Sequence, residues 1–279
     1  MRKLVGILAF GAMFGLASTA SAITADGNWS DWFSYGGNTN FTTWNENLVT
    51  LNNPNIRTLN DEEGPTPGGG GQKYDIEQIF YVYNDLDQNA LTGGTLHIGL
   101  VLGFPAAGVD SDNLYAGDMF IDFGNTGGYD LAVAVSTSVV NVDDDGTATP
   151  GVDNDYFGNN YFNDGTANWD VRDPAPFLSS TPWRVVRNAA IENLFSTQVA
   201  WGGVGVHNFL EISIAIDGGL EDILTNPQGG IGLHWTMECG NDVIDVRDDE
   251  PFAPVPEPST FALLGMGMLG VALRRKFTA

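Results

Sequence analysis

Asn141-Val142-Asp143-Asp144-Asp145-Gly146 sets oxygen-bearing side chains at the first, third and fifth positions of a run that closes on glycine. Alternate side chains in such a turn converge on one point, and the glycine permits the sharp bend. The spacing of Asn141, Asp143 and Asp145 therefore resembles the first half of a calcium-binding loop. The second half departs from the pattern. Its twelfth position is Val152, so Asp153 or Asp155 would have to close the shell from another geometry. Oxygen donors without histidine or thiolate favour Ca2+ over zinc. A solvated acidic loop fits the same residues.

Other chemistry has less support. The three histidines, His97, His207 and His234, show no paired spacing, and neither an HExxH nor a nucleophile-elbow sequence occurs. Zinc hydrolysis and a Ser-His-Asp site are thus without a motif. An acid-rich chain does offer many carboxylate pairs of the kind that glycoside hydrolysis uses. Cys239 is the single cysteine, so no internal disulfide forms. Among the seven tryptophans, Trp44 and Trp169 stand in polar loop-like stretches and are the candidates for stacking on a sugar ring. Trp201 and Trp235 stand in strand-like runs, where aromatic bulk fills a core.

The two ends carry chemistry of transit. Arg2 and Lys3 precede an apolar stretch from Leu4 to Ala17, and Ala20-Ser21-Ala22 is a small-x-small site. This predicts a secretory signal peptide over 1–22, cut after Ala22 and handled by the secretion machinery. At the other end, Pro256-Glu257-Pro258 is followed by an apolar run from Phe261 to Leu273 and by Arg274-Arg275-Lys276. The 14 residues from Thr260 to Leu273 would span about 21 Å as a helix. That falls short of about 30 Å of hydrocarbon. Gly265, Gly267 and Gly270 weaken such a helix further. A transmembrane helix here would serve as a transient inner-membrane anchor. The basic cluster favours the cytoplasmic side, which places the body outside.

This tail resembles the PEP-CTERM sorting signal of exported bacterial proteins. The resemblance implies processing near Pro256, Glu257 and Pro258 by an exosortase, a membrane transpeptidase. It also implies delivery to the cell envelope or extracellular matrix of a Gram-negative bacterium, in company with exopolysaccharide and biofilm production. The run His234-Trp235-Thr236-Met237-Glu238-Cys239-Gly240-Asn241-Asp242 is similar to one that precedes the tail in a subset of these proteins. After it, Arg247 to Pro254 is expected to form an exposed acidic stalk.

The chain has 35 acids and 11 bases. Losing both ends removes Arg2, Lys3, Arg274, Arg275, Lys276 and Glu257, which leaves 34 acids, 6 bases and a net charge of −28. Such a body repels nucleic acid and anionic lipid.

The elements that position these residues are strands. Glu77 to Tyr83 is β-branched and aromatic, and Thr95 to Leu102 alternates, with Leu96, Ile98, Leu100 and Leu102 on one face and His97 on the other. Asp118 to Phe123 leads through a glycine-rich turn into Tyr129 to Val135, a hairpin pattern. Further strands are predicted at Trp183–Val186, Thr197–Trp201, Leu210–Ile216 and Ile231–Met237, with one short helix at Leu220–Leu224. Asn60 to Gln72 and Asn141 to Trp169 read as loops, the first setting an N-terminal flap apart from the main sheets. The fold expected over 23–254 is all-β, a β-sandwich of jelly-roll-like type, with a sorting signal over 255–279.

The opening Asp26-Gly27-Asn28-Trp29-Ser30-Asp31-Trp32 resembles the start of family 9 carbohydrate-binding modules and DOMON-like sandwiches, where an Asp-Gly turn precedes an Asp-Trp. That resemblance implies a jelly-roll sandwich, a structural calcium ion and, in some members, sugar held on tryptophans. The function expected is a non-catalytic, exported envelope or matrix protein that binds carbohydrate. The alternative is a secreted glycan-active enzyme on the same scaffold.

Overall fold

The computed structural model describes residues 23–37, 44–60, 72–84, 94–106, 114–124, 128–136, 195–216, 230–237, 240, 242–250 and 252. It also gives the backbone of short strands at 140–142, 148–150, 160–162, 170–172, 184–186 and 191–192. Ala22–Pro254 is one compact unit.

In chain order the strands are β1 (Phe33–Tyr35), β2 (Val49–Leu51), β3 (Arg57–Asn60), β4 (Ile76–Asn84), β5 (Thr95–Leu102), β6 (Met119–Phe123) and β7 (Leu131–Val133). Then come β8 (Val140–Val142), β9 (Ala148–Pro150), β10 (Asn160–Phe162), β11 (Asp170–Arg172), β12 (Arg184–Val186) and β13 (Ile191–Glu192). The last are β14 (Thr197–Val204), β15 (His207–Ala215), β16 (Ile231–Thr236) and β17 (Val243–Asp248). A five-stranded sheet runs β14-β15-β5-β4-β3 and a six-stranded sheet β13-β10-β7-β6-β16-β17. Every pairing in both is antiparallel. The chain passes from the five-stranded to the six-stranded sheet twice, from β5 to β6 and from β15 to β16, and β5 pairs β15 while β6 pairs β16. Because β5 and β15 are antiparallel, the two crossings leave the five-stranded sheet from opposite ends. The body is all-β, as the strand pattern predicts.

One apolar core lies between the sheets. Ile79, Tyr81, Leu96, Ile98, Leu100, Leu210, Ile212 and Ile214 come from the five-stranded side, and Met119, Ile121, Leu131, Leu233 and Trp235 from the other. The odd residues of β4 and the even ones of β5 face inward, as period-two alternation requires. Trp235 is fully buried, and its indole N–H donates to the Gly117 carbonyl at 3.0 Å. Trp201 is half-buried against the same core and donates to the Val135 carbonyl at 2.8 Å.

The opposite face of the five-stranded sheet is also covered. The N-terminal segment folds over it as a flap, pairing β1 with β2. Trp32, Phe33 and Ile56 of the flap pack on Phe80, Val82, Val101 and Phe209 in a second core. Strands buried on both faces read as unbroken apolar runs, which accounts for Ile79 to Tyr83. The predicted flap is real but incomplete as a separate part, since β3, from the same stretch, joins the main sheet.

Glu211 and Ser213 of β15 and His97 of β5 point into this second interface, and each has a partner. His97 and Ser213 meet at 2.7 Å, Nδ1 to Oγ. Burial lowers the His97 imidazole to about 4, so it is neutral at neutral pH. Glu211, 1% exposed, accepts from the Trp32 indole N–H at 2.6 Å, from the Asp26 amide at 3.1 Å and from the Gly27 amide. Burial pushes the Glu211 carboxyl up, and the Trp32 and Gly27 donors oppose that rise. Gly27 takes φ 81°, a left-handed value that favours glycine. Its carbonyl lies so close to β14 that a β-carbon at Gly202 would stand 1.7 Å from the Gly27 oxygen. The Asp-Gly…Asp-Trp opening is thus a backbone-to-backbone docking turn locked by one buried carboxylate.

Two expectations need correction. Asn141–Trp169 is not all loop, because β8, β9 and β10 fall within it. Arg247–Pro254 is not an exposed stalk either. Arg247 and Asp248 belong to β17, and Phe252 is 4% exposed in the main core. The predicted helix at Leu220–Leu224 lies outside the described residues.

Candidate functional site

The described residues that combine aromatic faces with exposed polar groups gather at one edge of the flap. Strand alternation turns Phe33 inward, stacked on Phe80 at 4.7 Å, and leaves Tyr35 partly exposed. Trp44 precedes a 3-10 turn, Glu46–Leu48, whose first amides are met by Asn45: its side chain accepts from the Asn47 amide at 3.1 Å. The Trp44 ring stacks on Tyr35 at 4.5 Å and 19°. It meets Phe33 and His207 edge-on at 5.8 and 5.6 Å. The Trp44 indole N–H donates to Gln78 Oε1 at 3.1 Å, and the Tyr35 hydroxyl accepts from the Asn45 amide at 3.3 Å. The platform is therefore fixed on both sides before any ligand arrives.

A backbone irregularity supplies its polar floor. The β4–β5 register shifts between Ile76 and Gln78, so Glu77 is an extra residue in β4. A bulge of this kind re-aims side chains. Here it sends Glu77 and Gln78 to the same neighbourhood, with Glu77 Oε1 3.6 Å from His207 Nδ1 and Gln78 on Trp44. Burial holds the His207 imidazole below its ordinary range, so it is neutral at neutral pH. Leu48 and Val206 are the exposed large hydrophobic residues among those described, at 39% and 47%. Leu48 flanks Tyr35 across Gly37, and Val206 adjoins His207. Asn45, Glu46 and Asn47 are exposed beside them. An aromatic pair rimmed by amides and carboxylates suits a ligand with an apolar face and hydroxyl edges.

A second polar cluster lies on the six-stranded sheet. Asp122 and His234, each 1% exposed, approach Arg247 at 3.8 Å and Asp245 at 4.0 Å respectively. Tyr129 packs on His234 and on Phe120, with ring centroids 5.5 and 5.4 Å away. Burial pushes the Asp130 carboxyl up to about 6, although the Phe123 amide donates to it at 2.8 Å.

Of the residues singled out by sequence, Trp44 stands in the platform. Asn141 lies in β8, opposite Thr149. Trp169, Asp143, Asp145, Ala20, Ala22, Pro256, Glu257 and Pro258 lie outside the described residues. No group of three or more His, Cys, Asp or Glu among the described residues is arranged to hold a metal. No helix among them is long and apolar enough to cross a membrane. Sequence reasoning missed Tyr35, Glu77, Gln78 and His207. The one signal for two of them was the polar pair Glu77-Gln78 opening an otherwise apolar run.

Residues 254–276 match the PEP-CTERM protein-sorting motif. The motif marks export with membrane-associated processing, by an exosortase, in Gram-negative bacteria. No curated protein and no solved structure matches the chain.

Proposed function

We propose that this chain, sorted by its exosortase motif, delivers a non-catalytic carbohydrate-binding body to the cell envelope or extracellular matrix, with the Tyr35–Trp44 platform as the binding surface. The observation that carries the reading is the prearranged aromatic pair, 4.5 Å apart and partly exposed, held by Gln78 and Asn45. Exopolysaccharide is the ligand class that the destination favours. The body's net charge of −28 selects against polyanionic chains and toward neutral or cationic glycans.

Trp44→Ala is expected to weaken binding of a neutral envelope polysaccharide by roughly tenfold or more, since stacking contributes about 1–2 kcal/mol. Affinity electrophoresis of the processed protein through gels containing the polysaccharide reads this directly. Equal retardation of native and Trp44→Ala protein removes the platform from the account.

The alternative, a glycan-active enzyme, draws support from Asp130, because a carboxyl raised to about 6 suits a general acid. It requires hydrolysis that Asp130→Asn abolishes while the fold persists. Calcium at Asn141, Asp143 and Asp145 belongs to the proposal on donor spacing alone.

A further inference from the structure

The segment leading into the sorting motif is tied down at its last described residues. Asp248 ends β17 at one edge of the six-stranded sheet, and its carboxylate accepts from two groups of the five-stranded sheet. Arg57 Nη1 of β3 donates to Asp248 Oδ2 at 2.6 Å, and the Tyr81 hydroxyl of β4 donates to the same oxygen at 2.6 Å. The other oxygen accepts from the Glu250 amide at 2.9 Å. Arg57 Nη1 also donates to the Glu250 carbonyl at 2.6 Å. Beyond this knot, Phe252 is 4% exposed, packed edge-on against Tyr81 and Tyr83 at 6.0 Å. The Arg57 guanidinium lies over its ring at 4.7 Å. Burial pushes the Asp248 carboxyl up, but Tyr81, the Glu250 amide and Arg57 outweigh it and hold the group below its ordinary value. The carboxylate is therefore charged at neutral pH, as the ion pair needs.

Chain length then matters. Pro256 is four residues beyond Phe252, a reach of at most about 14 Å. The membrane-embedded partner must approach Pro256-Glu257-Pro258 within that distance of a body carrying −28. At full reach that distance exceeds the Debye length of about 8–10 Å, so the body's charge is largely screened there and the obstacle is its bulk. Freeing Phe252 back to Asp248 adds four residues and about another 14 Å of tether.

We propose that the Arg57–Asp248–Tyr81–Phe252 clasp is a spacing latch: closed, it holds the sorting segment too near the folded body for efficient processing, and its release lengthens the tether and sets the processing rate. This rests on the sorting reading above and names a control on that same step. A tether shorter than the span between two sites suppresses the second encounter, and lengthening it restores the encounter without any new contact.

The test is a pulse-chase of the full chain in its native host, following conversion to the processed form. A Gly-Ser-Gly-Ser-Gly-Ser insert between Ala253 and Pro254 leaves the clasp intact and is expected to speed conversion roughly threefold or more. Phe252→Ala is expected to do the same by opening the clasp, and the insert decides the matter if that variant fails to fold. Conversion of the insert variant at the native rate, while Pro256, Glu257 and Pro258 all changed to alanine blocks conversion, overturns the latch and leaves the sorting reading standing. Conversion that continues at the native rate in the triple-alanine variant overturns both.

Discussion

Glu211→Ala is expected to cost about 3–5 kcal/mol of folding stability, because removing the buried acceptor shared by three donors strands all of them. The Trp32 indole N–H and the Asp26 and Gly27 amides lose their acceptor together. Each orphaned buried donor costs about 1–3 kcal/mol, although the flap relieves part of this by lifting toward water. Glu211→Gln keeps the shape and one acceptor oxygen and is expected to fall between the two. The pH dependence separates the variants further. Because burial raises the folded value of Glu211, its stabilising contribution is fully present below the unfolded value and is lost as pH rises through the folded one. The advantage of the native protein over Glu211→Gln is therefore largest in acid. Urea denaturation of the processed protein at several pH values measures both effects. A midpoint unchanged by Glu211→Ala would mean that the flap is held by its aromatic contacts alone.

Gly202→Ala is expected to be of similar size, about 3 kcal/mol or more, through sterics rather than charge. The new β-carbon would stand 1.7 Å from the Gly27 oxygen, a contact with backbone that no side-chain rotation relieves. The Asp26-Gly27 turn has to leave β14, and with it go two of the three bonds to Glu211. The two substitutions thus break one joint from opposite sides. Their combination is expected to cost much less than the two separate losses added, the non-additivity of residues acting in a single network. Full additivity in the double variant would show that the glycine contact and the carboxylate act independently. Limited proteolysis gives a second readout, with new cleavage between Ile23 and Leu51 in both single variants.

The inter-sheet core was legible because its strands alternate. Leu96, Ile98, Leu100 and Leu102 stand on one face, as their spacing requires, and the glycine-rich turn after Phe123 joins β6 to β7. The second layer was not legible, because period two says which residues share a face and not whether that face is covered. His97 read as standing on the face of β5 opposite the apolar residues, and nothing in the alternation showed that the flap covers this face and leaves His97 7% exposed. Glu211 sits in a strand recognised from Leu210, Ile212 and Ile214, and nothing local marks it as the anchor of a turn 184 residues earlier. Glu77 joined the platform through a register shift that only its pairing partner reveals. The stalk was misjudged for the same reason: Asp248, Glu250 and Phe252 look like a polar tail until Arg57 and Tyr81 are placed beside them. The opening motif signalled its own turn correctly but not its purpose, since Trp32 is fully buried and its N–H is committed to Glu211.

Trimming at both ends is the claim on which export, sorting and the latch all depend. Intact-mass measurement of the protein recovered from the envelope of its native host tests it most directly. The expected product begins at Ile23 and lacks the apolar and basic residues that follow Pro258, with any mass added after export resolved on top. A single species of 29.9 kDa in the cytosol, with Met1 and Ala279 both in place, would contradict it.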